Sequence, residues 1–297
     1  MKKFLWPVVG FSAALLSLVP LSAYFQGAAP AGWNDAFPPH KIMDNFYYVG
    51  TKELASFLIV TPQGNILMNS NYESSVPIIK KSVEDLGFKF SDIKVLIAGH
   101  AHPDHVGGDQ AVKDLTGAKV VVGRVDAPGT RTFMSNGKEH PIDQLIDDGE
   151  TFSFGGFSMT AHIMPGHTQG CLAWTFDLKE NGKTYHTLVE CSLNSQALAQ
   201  YPGMADEFRA TFKKARTLPA EVWVSSHASF YGLAAKYAKL QARGPNDPNP
   251  FIDPQGYLAH VDEFEKRFET AIANQGKGGG KGGGKGGPPP AAPGAAK

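Results

Sequence analysis

The sequence predicts an α/β fold in which two β-sheets pack face to face with helices outside. Strand-like apolar runs alternate with helical periodicities, and this plan occurs twice along the chain. The chain is also long enough, at 297 residues with 42% hydrophobic and 19% charged, to bury a substantial core. Its formal net charge of zero gives no electrostatic basis for binding nucleic acid, which leaves a small-molecule enzyme or a binding protein.

In the first half, segments 46–49, 56–60 and 65–68 are strand-like, with Pro62-Gln63-Gly64 as the turn between the last two. Val76, Ile79, Val83 and Leu86 then recur at helical spacing, with Ser75 placed to cap, Pro77 early and Gly87 just past the end. A strand over 94–98, a helix over 109–115 and a strand over 119–122 follow. In the second half, Phe157, Met159, Ala161 and Ile163 alternate as one face of a strand. Strands over 172–176 and 184–189, a helix over 205–216 and a strand over 221–224 come next. Tyr257, Val261, Phe264, Phe268 and Ala271 mark an amphipathic terminal helix.

The two ends are set apart from this fold. A basic start (Met1-Lys2-Lys3), a mostly apolar run to Val19 and the small residues of Leu21-Ser22-Ala23 have the layout of a secretory signal peptide over 1–23. A second possible cut lies in Gly27-Ala28-Ala29-Pro30-Ala31. The apolar run is short for an uncleaved membrane anchor, and no cysteine lies nearby for lipidation. Residues 276–297 are Gly, Lys, Pro and Ala, and are expected to be a disordered, solvated tail. The folded domain is therefore expected over 24–275.

The chemistry concentrates in His100-Ala101-His102-Pro103-Asp104-His105, directly after the strand-like Val95-Leu96-Ile97-Ala98-Gly99. Imidazole with carboxylate suits zinc, whereas calcium and magnesium prefer all-oxygen shells. One ion cannot readily take four ligands from so short a loop. His100 and His102 project to one side, and Asp104 and His105 can turn to another, so the spacing suggests two metals. His167, in Pro165-Gly166-His167-Thr168, and His227, after Val222-Trp223-Val224-Ser225-Ser226, also follow strand-like runs. Strand ends on one sheet edge converge, so these clusters are expected to share a site.

His100-x-His102-x-Asp104-His105, Gly166-His167-Thr168 and His227 resemble, in order and spacing, the metal-binding motifs of the metallo-β-lactamase superfamily. Phe46-Tyr47-Tyr48-Val49-Gly50, Gly166-His167-Thr168-Gln169-Gly170-Cys171 and Asn249-Pro250-Phe251-Ile252-Asp253 look closer still to the third subgroup of class B β-lactamases. The resemblance implies a four-layer αβ/βα sandwich with a dinuclear zinc site at the edge of the two sheets. It implies one zinc on His100, His102 and His167 and a second on Asp104, His105 and His227. Glyoxalase II-like and lactonase-like members use a bridging Asp on the strand after the Gly-His-Thr loop. Here that strand, Thr187 to Asn194, has none. Cys191 resembles the cysteine ligand of the first β-lactamase subgroup, but that subgroup has Arg where this chain has His105. Many members also have Asp where this chain has Asn69, a position from which ligand orientation can be tuned.

The activity implied is zinc-dependent hydrolysis of β-lactam antibiotics in the periplasm, with no acyl-enzyme. Asp104 would orient the attacking water and accept its proton, beside its ligand role with His105. Ser192 and Asn194 would hydrogen-bond the substrate carboxylate or else structure their loop. The rival readings are another hydrolase on the same scaffold, such as an acyl-homoserine lactonase, and a non-catalytic periplasmic zinc-binding protein. A monomer without a stable membrane anchor is expected. His40, His140, His162, His186 and His260 are expected to be surface or hydrogen-bonded. Related enzymes with cysteines at these motif positions pair them, so Cys171 and Cys191 are expected to form a disulfide. Two buried thiols, or Cys191 as a ligand, are the alternatives.

Overall fold

Seven strands make the first sheet in the computed structural model, which describes residues 29–132, 134–135, 138–195 and 201–275. The expected signal peptide and tail lie outside these residues. β1 (His40–Met43), β2 (Phe46–Tyr48), β3 (Phe57–Thr61) and β4 (Gly64–Met68) are an antiparallel meander. β5 (Ile93–Ile97) and β6 (Lys119–Gly123) continue in parallel, and β9 (Gln144–Ile146) closes the sheet after a separate hairpin of β7 (Met134–Ser135) and β8 (Lys138–Glu139). Parallel neighbours need crossovers. α1 (Val76–Asp85) supplies the first, and α2 (Pro103–Val106) with α3 (Asp109–Thr116) the second; α4 (Ala127–Thr130) follows β6.

In the second sheet β10 (Thr151–Phe154), β11 (Phe157–Ile163), β12 (Leu172–Glu180) and β13 (Lys183–Glu190) pair antiparallel. β14 (Val222–Ser225), reached through α5 (Met204–Ala215), joins β13 in parallel. α6 (Leu233–Ala242) and α7 (Pro254–Gln275) complete the described chain.

Successive strand residues point to opposite faces, and the cores follow that period. Ile66, Met68, Val95, Ile97 and Val121 belong to the apolar core shared with the second sheet, while Leu67, Leu96, Val120 and Val122 pack with Val76, Ile79 and Val83 of α1 and Val112 of α3. On the far side Phe208 and Phe212 of α5 join Tyr257, Phe264 and Phe268 of α7. The layers are therefore helices, sheet, sheet, helices: the αβ/βα sandwich. With cover on both faces, β14 reads Val-Trp-Val-Ser and is buried throughout, which explains its unbroken apolar run.

The expected cap of α1 differs in detail. Ser75 occupies the cap position, but its hydroxyl donates to Asn34 Oδ1 at 2.6 Å and makes no cap bond to the helix. Gly87 follows the helix at φ +85°, the left-handed conformation glycine tolerates. At the edge where the ligand loops emerge, the sheets are stitched by backbone bonds: Leu172 N donates to Gly99 O at 2.6 Å, and Ala55 N to Ser226 O at 3.0 Å. Among the described residues, no helix is long and apolar enough to cross a membrane.

Candidate metal centre

β5, β11 and β14 all end at this edge, and the loops leaving them carry the motif histidines. The chain from His100 to His105 turns tightly because Pro103 opens α2: His105 N and Val106 N both donate to His102 O, at 2.9 and 3.0 Å. Two sets of side chains result. In each of His100/His102/His167 and Asp104/His105/His227, one ligand atom per residue lies within 4.8 Å of the others. In the first set, His167 Nε2 is 3.1 Å from His102 Nδ1. In the second, Asp104 Oδ2 is 3.4 Å from both His105 Nε2 and His227 Nε2.

These residues fit a pair of cations. His100 is 4% exposed and His105 1%, yet His100 Nε2 and both ring nitrogens of His105 have no hydrogen-bond partner among the described residues. Leaving a buried polar atom unsatisfied costs roughly 1–3 kcal/mol, and a cation inside each set would remove that cost for one nitrogen of each ring. His102, Asp104, His167 and His227 are only partly buried, so one side of the site is open to solvent.

The electrostatics favour the same use. Burial, and then the neighbouring imidazoles, hold His100 well below the usual histidine range. Burial also lowers His167, brings His102 to about 4, and brings His105 to about 3 against the opposing pull of Asp104. These rings are therefore neutral near pH 7, with lone pairs available for a metal. Burial alone would raise Asp104, but His105, His227 and His102 together depress it well below the carboxylate range. His227 goes the other way: hydrogen bonds to Asp104 and Glu53 overcome burial and raise it to about 9. A cation entering the second set must therefore displace a proton from His227, so its affinity falls as pH falls.

Supporting bonds fix the rings. His167 Nδ1 donates to Asn194 O at 2.7 Å, and His227 Nδ1 lies 3.4 Å from Glu53 Oε1. Asn194 therefore steadies His167 through its backbone carbonyl, independently of its side chain. Asn194 N in turn donates to Ser192 Oγ at 3.3 Å. Asn69 sits at φ +62°, a left-handed conformation asparagine tolerates better than most residues. It donates to Ala55 O at 3.2 Å and accepts from Gly99 N at 3.4 Å, one residue before His100. An ionised Asp could accept from Gly99 but could not donate to Ala55.

Cys171 and Cys191 are joined in a disulfide with Cα atoms 5.9 Å apart, so neither is a thiolate free to bind metal. Of the other histidines, His40 Nδ1 donates to Pro38 O at 2.9 Å and His186 Nδ1 to Asp177 Oδ1 at 2.7 Å, while His162 Nε2 shares a hydrogen bond with Thr175 Oγ1 at 2.7 Å. His140 is buried against Asp109 at 3.1 Å, and His260 faces Glu190 at 3.6 Å. Sequence reasoning missed Glu53, which carries no motif, and Asp126. The latter precedes Ala127-Pro128 like an ordinary helix cap, but its carboxylate caps nothing in α4.

Gly166 is required by its surroundings. Its φ is +137°, and a Cβ there would lie 2.6 Å from Phe208 Cγ. Gly166→Ala is expected to destabilise the fold by about 1–3 kcal/mol through overpacking, and to weaken zinc binding by displacing His167. Calorimetry with a zinc titration checks both; an unchanged melting temperature would refute the steric argument.

The sequence profile of the metallo-beta-lactamase superfamily matches residues 55–179. In structure, the chain is similar to the native FEZ-1 metallo-beta-lactamase from Legionella gormanii, at 37% identity and TM-score 0.76 over 82% of this chain and 98% of that one. It is also similar to BJP-1, a subclass B3 metallo-beta-lactamase of Bradyrhizobium japonicum, at 33% identity and TM-score 0.77 over 83% and 98%. In sequence it is 30% identical over 139 residues to a hydroxyacylglutathione hydrolase of Methylococcus capsulatus, covering 47% of this chain and 49% of that protein. The chain thus spans about half the length of that curated relative.

Proposed function

Because this chain belongs to the metallo-beta-lactamase superfamily, we propose that it is a periplasmic two-zinc hydrolase that opens the amide bond of β-lactam antibiotics. The observation that carries this reading is the likeness to two metallo-beta-lactamases, at 37% identity through 98% of FEZ-1 and 33% through 98% of BJP-1. The ligand pattern supports it too. His105 completes the second set, and the end of β13 offers Glu190, Cys191 and Ser192 where a bridging Asp would stand.

The zincs, held by His100, His102 and His167 and by Asp104, His105 and His227, would supply a water acidified toward neutral pH and Lewis acidity for the carbonyl oxygen. Asp104 is ionised and partly open to solvent, so it can orient the attacking water by accepting its hydrogen bond. Trp33 and Phe230 pack on His227 with ring centroids at 5.2 and 4.9 Å, giving apolar walls beside the reacting groups. Asn194 has no side-chain partner among the described residues and can meet the substrate carboxylate; Ser192, 2% exposed, supports it from beneath. No side chain needs to form an acyl-enzyme. Secretion through a signal peptide over 1–23, and action as a monomer, belong to the same proposal.

The test is spectrophotometric turnover of a penicillin, a cephalosporin, a carbapenem, an acyl-homoserine lactone and a glutathione thioester. Ring opening of the β-lactams is expected. Turnover confined to the lactone or thioester would replace this reading with the other hydrolase, and no turnover with bound zinc would favour a binding protein.

A further inference from the structure

We infer that Asp126 and Glu53 are positioning residues that divide the centre between them, each holding the geometry of one ligand set. This rests on the two-zinc reading of the site, and not on the identity of the substrate.

Asp126 is 9% exposed and stands at the start of α4 without capping it. Its Oδ2 accepts from Ala101 N at 3.2 Å and from Thr168 Oγ1 at 2.7 Å, and its Oδ1 accepts from Gly170 N at 2.8 Å. Ala101 lies between His100 and His102, and Thr168 follows His167. One carboxylate therefore ties the loop leaving the first sheet to the loop leaving the second, at the positions that set how far apart the first three imidazoles stand. The approach is close enough to demand glycine at 170, where a Cβ would lie 2.7 Å from Asp126 Oδ1.

Glu53 does the corresponding work for the second set by a different route. Its Oε1 faces His227 Nδ1 at 3.4 Å and accepts from Ser229 Oγ at 2.6 Å. Its own carbonyl accepts from Ala228 N at 2.8 Å, and Leu54 bridges to His227 along the backbone. With Nδ1 engaged by this carboxylate, Nε2 is the nitrogen left to face Asp104. Partners of this kind fix a ring's orientation and the nitrogen it offers.

Asp126→Asn cannot reproduce its carboxylate, and Glu53→Ala removes the one oxygen that both His227 and Ser229 meet. In Asp126→Asn the substituted amide has one acceptor oxygen, so an N–H of Ala101 or Gly170 is left facing a nitrogen. Zinc titrated against a chromophoric chelator should give two dissociation constants for the wild type, assigned to sites by His167→Ala and His105→Ala. Asp126→Asn is expected to weaken the first site by about 10–100-fold and leave the second unchanged; Glu53→Ala should do the reverse. Thr168→Val should weaken the first site, and Thr168→Ser should restore it by keeping the hydroxyl. Thr168→Val also serves if Asp126→Asn does not fold. Equal weakening of both sites in each variant, or no weakening in either, would overturn the division. A wild type binding fewer than two zincs would instead overturn the two-zinc reading beneath it.

Discussion

Dialysis against a strong chelator is expected to abolish hydrolysis, and returning zinc is expected to restore it. The expectation follows from buried nitrogens of His100 and His105 that have no hydrogen-bond partner among the described residues, beside two three-residue ligand sets. Lewis-acid and water-acidifying effects supply several kcal/mol of transition-state stabilisation, so their loss should slow the reaction on the order of 10³-fold or more. Single ligand variants refine the result. His105→Ala should empty the second site before the first, and His167→Ala the first before the second, because each residue belongs to one set. Full activity in protein shown by elemental analysis to be metal-free would end the proposal.

Reduction of the Cys171–Cys191 disulfide is expected to lower the melting temperature by roughly 6–12 °C. The cysteines are 20 residues apart in sequence. Closing a loop of that size restricts the unfolded chain by about 3 kcal/mol in the loop-entropy model. For a domain of this size each kcal/mol moves the midpoint by roughly 2–4 °C. The bridge joins the start of β12 to the end of β13, and Cys191 Sγ lies 3.3 Å from His100 Nδ1, so it braces the wall behind the first set. Zinc content should nevertheless survive reduction, since all six ligands remain. Calorimetry with and without reductant, beside thiol titration of the unfolded, unreduced protein, decides the matter. Two free thiols would refute the bridge, and an unmoved midpoint would refute its energetic role.

Much of the site is legible in the sequence because metal ligation leaves a local mark. His100, His102, Asp104 and His105 fall within six residues, and His167 and His227 each follow an apolar strand. Glu53 and Asp126 leave no such mark, because their partners are mostly backbone groups and hydroxyls brought near only by folding. Among the elements, the long central strands and α7 announce themselves by burial. The apolar run predicts that β12 stops near Phe176, yet it continues to Glu180: Phe176 and Leu178 stay buried while Asp177 and Lys179 face out. The charged outer face hides the alternation, and Asn181 and Gly182, both at positive φ, make the hairpin turn. α6 escapes a sequence reading because it buries only Leu233 and Lys236 and so shows no apolar stripe. β1, β9 and β10 have four residues or fewer, too short for a period to register.

The ligands are shared unequally between the halves: two of each set come from the loop after β5, and the third comes from the second half, His167 or His227. Neither half alone can offer three donors to one ion. On the proposed ligand sets, full coordination requires the two sheets to be docked, and an ion held there would act as a clasp across their seam. By mass action a ligand that binds only the folded form at a hundred times its dissociation constant adds about 2.7 kcal/mol. Here that increment falls on the contact between the halves.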